Sequence, residues 1–174
     1  MTKADTPITS PESLGKQTVI LANDQTGKFV NAGTSANEDM QISSETADRF
    51  TYLQFVKQGT FWKIWCLKYQ SFCSGFGAGY PIKPKVADEQ WSHFEVQMDL
   101  DYAITIKSFV KENPGPYVAL PSNWQTGAHD NRFRICEATR IIGRGTFHAY
   151  TFSQSLEKFD PEEFRWIENN SYAK

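Results

Sequence analysis

Thr18-Val19-Ile20-Leu21-Ala22, running into Asn23-Asp24-Gln25-Thr26-Gly27-Lys28-Phe29-Val30-Asn31, is the stretch on which the reading of this chain turns. An apolar, β-branched run gives way to a polar turn and then to a second apolar run. It therefore reads as strand, turn, strand, with Gly27 free to take the positive φ that a tight turn demands. The same sense recurs twice. Phe61-Trp62-Lys63-Ile64-Trp65-Cys66-Leu67 runs into Tyr69-Gln70-Ser71-Phe72-Cys73-Ser74. Ala103-Ile104-Thr105-Ile106 leads through Asn113-Pro114-Gly115, read as turn residues, into Pro116-Tyr117-Val118-Ala119. Aligning Phe29, Phe72 and Tyr117 gives separations of 43 and 45 residues. A second marker aligns Leu53, Phe94 and Phe133, separated by 41 and 39. Two markers at one period argue for three repeats of about forty residues.

The 174 residues suffice for one domain with a real core and tails. Aromatic residues make up 14% of the chain, which favours strands over helices. A net charge of −2 exerts no global pull toward nucleic acid or anionic membrane, so nucleic acid is not expected as a partner. No apolar run approaches the roughly 18 residues of a membrane span. Met1 to Lys16 lacks the apolar centre of a secretory signal, so the chain reads as cytoplasmic or as a processed form. Cys66, Cys73 and Cys136 are too few for a disulfide framework and are expected to be structural thiols.

In chain order, residues 1–15 read as a flexible leader, because Thr6-Pro7, Ser10-Pro11 and Gly15 stand among few apolar residues. The repeats follow at about 16–59, 60–100 and 101–152. In the first, Leu53 and Phe55 share one face of a strand and Gln54 takes the other. In the second, Trp62 and Ile64 share a face while Phe61, Lys63 and Trp65 share the opposite one, so both have something to bury. Gly75-Phe76-Gly77-Ala78-Gly79-Tyr80-Pro81 lacks phosphate-loop spacing and reads as a turn-rich loop. Phe94, Val96 and Met98 alternate with His93, Glu95 and Gln97 as a half-buried strand. Thr146 to Phe152 reads as a last strand that closes the sheet against the first. The tail, 153–174, carries a short helix start at Asp160-Pro161-Glu162-Glu163, expected to pack Phe164 and Ile167 on the body, with a docking peptide as the alternative.

Each repeat offers about four short strands and could not stand alone, which suits a closed all-β architecture with every edge paired. The succession Val19-Ile20-Leu21, Gly27-Lys28-Phe29-Val30-Asn31-Ala32, Phe50, Leu53, Phe55 and Trp62-Lys63-Ile64, with its echoes, resembles the single β-trefoils of the fascin-like superfamily. That superfamily comprises actin-cross-linking and hisactophilin-like proteins, and the likeness covers about Lys16 to Phe152. The resemblance implies actin or another cytoskeletal protein as partner. The Gln-x-Trp triplet of ricin-type lectins is absent.

No constellation points to catalysis. His93, His129 and His148 lie far apart and in no metal-spaced or nucleophile-bearing motif, so no metal, cofactor or enzymatic activity is expected. Binding through loops held by rigid strands is the preferred reading. A pyranose asks for an aromatic face and for amides, carboxylates or imidazoles that share its hydroxyls. Asn123, Trp124, His129, Asp130 and Asn131 supply both in one stretch, and Asn31, Asn37 to Met40, Tyr80 and Lys83 occupy corresponding places in the other repeats. The alternative for Trp124 is a plug folded over the barrel end. Because only the third repeat has that tryptophan, a sugar site is expected to be single. Carbohydrate binding is thus placed first, actin or other protein binding second, and protease inhibition through a protruding loop third. Arg132, Arg134, Arg140 and Arg144 form a basic patch expected to meet the acidic tail, with an acidic partner as the alternative.

Overall fold

The computed structural model describes residues 7–75, 82–85, 89–110, 113–119, 134–136 and 145–151. The first repeat forms β1 (Thr18–Asn23), β2 (Phe29–Asn31), β3 (Gln41–Ser44) and β4 (Leu53–Gln58). The second forms β5 (Phe61–Cys66), β6 (Ser71–Phe72) and β7 (Phe94–Met98), and the third β8 (Ile104–Val110), β9 (Asn113–Ala119), β10 (Arg134–Cys136) and β11 (Phe147–Thr151). The opening stretch folds as its composition dictates. The Asn23 side-chain oxygen accepts the N–H groups of Gln25 and Thr26 at 3.1 and 3.2 Å, and Gly27 stands at φ 70°.

Six strands close on themselves. β1 pairs β4, β4 pairs β5, β5 pairs β7, β7 pairs β8, β8 pairs β11, and β11 returns to β1, all antiparallel. The closing pair runs from Val19↔Thr151 to Asn23↔Phe147, so the strand read over Thr146 to Phe152 does close the sheet against the first. Outside this ring, β2 pairs β3, β9 pairs β10, and β6 continues into an isolated bridge between Ser74 and Lys83. Three copies of two barrel strands and a cap hairpin constitute a β-trefoil.

The pairing register repeats with the sequence. Leu53↔Val19, Phe94↔Trp62 and Phe147↔Ile104 are corresponding pairs, and so are Ala22↔Phe29, Trp65↔Phe72 and Lys107↔Tyr117. Phe29, Phe72 and Tyr117 are therefore true equivalents. The other marker needs correction in the third repeat: the partner of Leu53 and Phe94 is Phe147, because the residues after position 133 form the third strand, β10, and not the fourth. Asn113, Pro114 and Gly115 are likewise not a turn but the start of β9, facing Phe109 and Val110 of an extended β8. Proline is tolerated there because this end of β9 pairs with β8 alone, β10 meeting only Tyr117 to Ala119, and because the β8 ladder is interrupted beside it.

Two apolar clusters follow from strand alternation. Val19, Leu21, Leu53, Phe55, Trp62, Ile64, Phe94, Ile104, Ile106, Phe147 and Ala149 fill the interior, joined by Val30, Met40 and Ile42 from the first cap. Opposite residues of the same strands, Ile20, Val56 and Trp65, pack outside with Phe29, Tyr52, Leu67 and Phe72. Trp65 meets Phe72 edge-on at 4.9 Å between ring centroids. Lys63, 3% exposed, carries its ammonium 4.9 Å over the Phe72 ring, a cation–π contact that makes this burial tolerable.

The leader is not free from residue 7 onward. Ile8 donates its N–H to Ala149 O at 2.8 Å, and Pro7 bridges Tyr150. Ser10 caps a one-turn helix α1 (Pro11–Leu14), accepting the N–H of Ser13 at 3.1 Å. Ile8 and Leu14 both bury in the barrel cluster. Two apolar residues thus suffice to fix a segment whose composition argues for disorder. The short tail helix within 153–174, the loop around Tyr80, the Trp124 loop and the patch from Arg132 to Arg144 lie outside the described residues, apart from the backbone of Arg134 in β10.

Two substitutions test this architecture by urea unfolding. Phe94→Ala empties a barrel position and is expected to cost about 3–5 kcal/mol. Gly27→Ala meets nothing within 4 Å, so its expected cost of about 1–2 kcal/mol is that of a left-handed backbone alone.

Candidate functional site

A six-stranded ring packed with side chains has no bore, so any ligand must be met on its caps and turns. The first cap carries the polar surface that Asn31 belongs to. β2 and β3 put Val30 and Ile42 inward, and Asn31 lies directly opposite Gln41. The Asn31 amide Nδ2 donates to Ser43 Oγ at 2.9 Å, and Ser43 Oγ donates to Gln41 Oε1 at 3.3 Å. That chain fixes the two amides in orientation. It engages one atom of each amide, the Asn31 nitrogen and the Gln41 oxygen, which leaves Asn31 Oδ1 as an acceptor and Gln41 Nε2 as a donor.

Beside this cap, loops from two repeats meet. Met40 N–H donates to Ile82 O at 2.7 Å, Lys85 Nζ donates to Asn37 Oδ1 at 3.0 Å, and Lys83 Nζ stands 3.9 Å from Asp39 Oδ1. Within the first loop, the Glu38 carboxylate accepts the Thr34 hydroxyl at 2.6 Å and the Thr34 N–H at 3.1 Å. The hydroxyl bond, foremost, holds the Glu38 carboxyl below its ordinary range. Gly33 is required there, since a Cβ would fall 2.9 Å from that of Glu38. The Tyr69 hydroxyl donates to the Gly33 carbonyl, fastening the loop to the second repeat.

Asn31, Asn37, Asp39 and Lys83 are thereby brought to the first cap and its adjoining loops, whereas the Met40 side chain is buried in the barrel cluster and offers a ligand nothing. Asn123, Trp124, His129, Asp130, Asn131 and Tyr80 fall outside the described residues. Gln41, Ser43 and Lys85 were not singled out from the sequence. For Gln41 and Ser43 a signal existed, because both flank the buried Ile42 in a recognisable strand.

The described cysteines and histidines are placed elsewhere. Cys66 and Cys73 are buried free thiols; burial pushes Cys66 up to about 11 and Cys73 also upward, which suppresses the reactive thiolate. His93 stacks on Phe61 with ring centroids 3.8 Å apart. His148 has its Nδ1 2.6 Å from Asp24 Oδ1 and its Nε2 3.0 Å from the Asp101 carbonyl oxygen. Among the described residues no group of three His, Cys, Asp or Glu is placed to hold a metal, and no helix is long and apolar enough to cross a membrane.

In sequence the chain matches no protein-family profile and no curated protein. Its fold is widely shared among solved structures. A ricin B-like lectin from Macrolepiota procera, solved in complex with lactose, superposes with a TM-score of 0.62 at 14% identity, over 84% of this chain and 100% of the lectin. The designed threefold-symmetric protein ThreeFoil gives 0.61 at 9% identity, over 78% and 99%. A GlcNAcα1-4Gal-releasing endo-β-galactosidase from Clostridium perfringens gives 0.62 at 8% identity over 79% of this chain, which spans 33% of that enzyme. The chain is thus a β-trefoil like these proteins, with lectins among those that share its fold.

Thiol labelling followed residue by residue in a mass spectrometer checks the placement of the cysteines. Cys66 and Cys73 are expected to stay unmodified in the folded protein near neutral pH and to react at least about a hundredfold faster in urea. Modification of either under native conditions contradicts their burial.

Proposed function

We propose that this protein is a non-enzymatic carbohydrate-binding module that takes its ligand on the trefoil caps. The observation carrying this reading is the hydrogen-bonded platform of Asn31, Ser43 and Gln41 on the outward face of the first cap. Neighbouring sugar hydroxyls each donate and accept, and two oriented amides satisfy such a pair while the strands beneath supply rigidity. The ricin B-like lectin seen with lactose shares the fold and supports the reading at that level.

The site is single because the three caps differ at this position. The register that equates Phe29 with Phe72 and Tyr117 puts Ser74 and Ala119 in the place of Asn31. Ser74 is buried and spends its hydroxyl on the Lys85 carbonyl at 2.6 Å, and alanine has nothing to offer. In this reading Asn123, Trp124, His129, Asp130 and Asn131 of the third repeat add the aromatic face and further acceptors, and Tyr80 contributes from the second. The fascin-like resemblance brings filamentous actin as the competing ligand.

A glycan array with the intact protein, read beside co-sedimentation with filamentous actin, separates the two. The expected result is one class of glycan bound, weakened about five- to tenfold by Asn31→Ala as one oriented hydrogen bond is lost. Trp124→Ala is expected to weaken it by at least as much. A blank array together with actin co-sedimentation overturns the lectin reading. Glycan binding that Trp124→Ala leaves intact removes the third repeat from the site.

A further inference from the structure

At the junction of the first turn, the β7–β8 turn and the closing strand, one imidazole faces two acceptors. His148 lies on the outward side of β11, between the buried Phe147 and Ala149, and opposite Ala22 of β1. Asp24 is the first residue past β1, with its N–H donated to Thr146 O at 3.0 Å, which carries its carboxylate to Nδ1. The other nitrogen meets the carbonyl of Asp101 in the β7–β8 turn. A neutral imidazole has one N–H and can donate to only one of these oxygens. Both contacts are hydrogen bonds only when both nitrogens carry protons.

We propose that protonated His148 is a clamp that holds the β7–β8 turn to the barrel and opens as pH rises. The turn itself is a short arc with an inner frame. Asp99 Oδ1 accepts the N–H groups of Asp101 and Ala103 at 3.3 and 3.1 Å, Asp99 N–H donates to Ala103 O at 3.0 Å, and Tyr102 takes φ 68°. It carries Leu100, fully exposed, and Tyr102, 44% exposed. Among the described residues, its side-chain tie to another part of the molecule is the His148 ring.

The other two junctions of the barrel close without such a ring. By the shared register, Gln54 and Glu95 occupy the place of His148, and Leu67 and Phe109 that of Asp24. Gln54 is buried and donates to Thr18 Oγ1 at 3.2 Å, and Leu67 packs in the outer apolar cluster. The clamp is therefore an addition to the scaffold and not a condition of it.

The surrounding charges set its sign. Asp24 faces the ring from the first turn, Asp101 and behind it Asp99 face it from the β7–β8 turn, and Tyr150 follows two residues on along β11. Burial by itself lowers the affinity of His148 for its second proton. The hydrogen bonds to Asp24 and the Asp101 carbonyl, with the Coulomb attraction of both carboxylates, outweigh it, so the imidazole moves above its ordinary 6.5. Asp101 is held low, first by its side-chain hydrogen bond with Asp99, and Asp99 is raised by the same bond, so their shared negative charge stays beside the ring. A group with a raised folded-state value stabilises fully below its unfolded value and stops doing so as pH climbs through the folded one. With the ring about a quarter exposed, solvent can exchange its proton without unfolding.

Amide exchange of the intact protein at about pH 5.5 and pH 8.5, corrected for intrinsic base catalysis, tests this against His148→Gln, which cannot titrate. In the native chain Asp101, Tyr102 and Ala103 are expected to open at least about threefold more readily at the higher pH. In His148→Gln they are expected to open equally at both. Equal pH dependence in the two proteins overturns the proposal. If the variant does not fold, nitrogen NMR of the native imidazole decides alone. Two protonated ring nitrogens at about pH 6, with a midpoint above 6.5, uphold the clamp, and a midpoint at or below 6.5 overturns it.

Discussion

Closure of the ring by β11 against β1 is the constraint on which the rest depends. Until Val19 to Asn23 find Thr151 to Phe147, both strands are open edges, with backbone donors and acceptors exposed over five residue pairs. Closure also makes an inside. It sets Val19, Leu21, Phe147 and Ala149 on one side of the ladder and leaves Ile20, Ala22, His148 and Tyr150 on the other, the division along which core and surface part.

Much of this architecture was legible because it is written three times. One strand–turn–strand segment says little, but the aromatic residues Phe29, Phe72 and Tyr117 fall at a common interval because each meets the same point on its repeat's first strand. Where the copies diverge in length, the reading slipped. The third repeat places its fourth strand at Phe147, and a marker extrapolated at even spacing landed on Phe133, ahead of the third strand. The turn assigned to Asn113-Pro114-Gly115 failed for a related reason: composition marks residues that cannot be bonded on both sides in a sheet, and this end of β9 pairs with β8 alone, since β10 meets only Tyr117 to Ala119. Ordering of the leader was visible locally in Ser10-Pro11-Glu12, a cap, a first-turn proline and an acid. The burial of Ile8 and Leu14 was not, since it depends on a surface that only the assembled barrel offers.

The candidate site is the complement of the repeat. Positions that must be alike in three copies encode the barrel, so individual polar side chains stand where the copies differ, at Asn31 against Ser74 and Ala119, and at His148 against Gln54 and Glu95. Asn31 could be read from the sequence as a polar residue on a cap. Its fixed orientation could not, because Ser43 and Gln41 reach it across a strand pair whose register includes an irregularity between Phe29 and Val30. The pairing of His148 with Asp24 was less accessible still. The two residues are distant in sequence and are neighbours solely because the last strand returns to the first.

That return has a consequence for how the chain is made. β1 is synthesised early and its barrel neighbour β11 last, so the first strand waits with one side unpaired while nearly all of the domain is built. The pairs that form meanwhile, β4 with β5 and β7 with β8, join strands close in sequence and carry a modest entropic cost. Closure of β11 on β1 joins strands far apart in sequence and carries the larger entropic cost, the kind of contact that slows β proteins in general. In that interval the outer face of β1, with Ile20 and Ala22, has its own apolar neighbours from the first two repeats, Phe29, Tyr52 and Trp65. The outer cluster is thus built from the portion of the chain that emerges first, and it gives the nascent protein something to fold onto before the ring can shut.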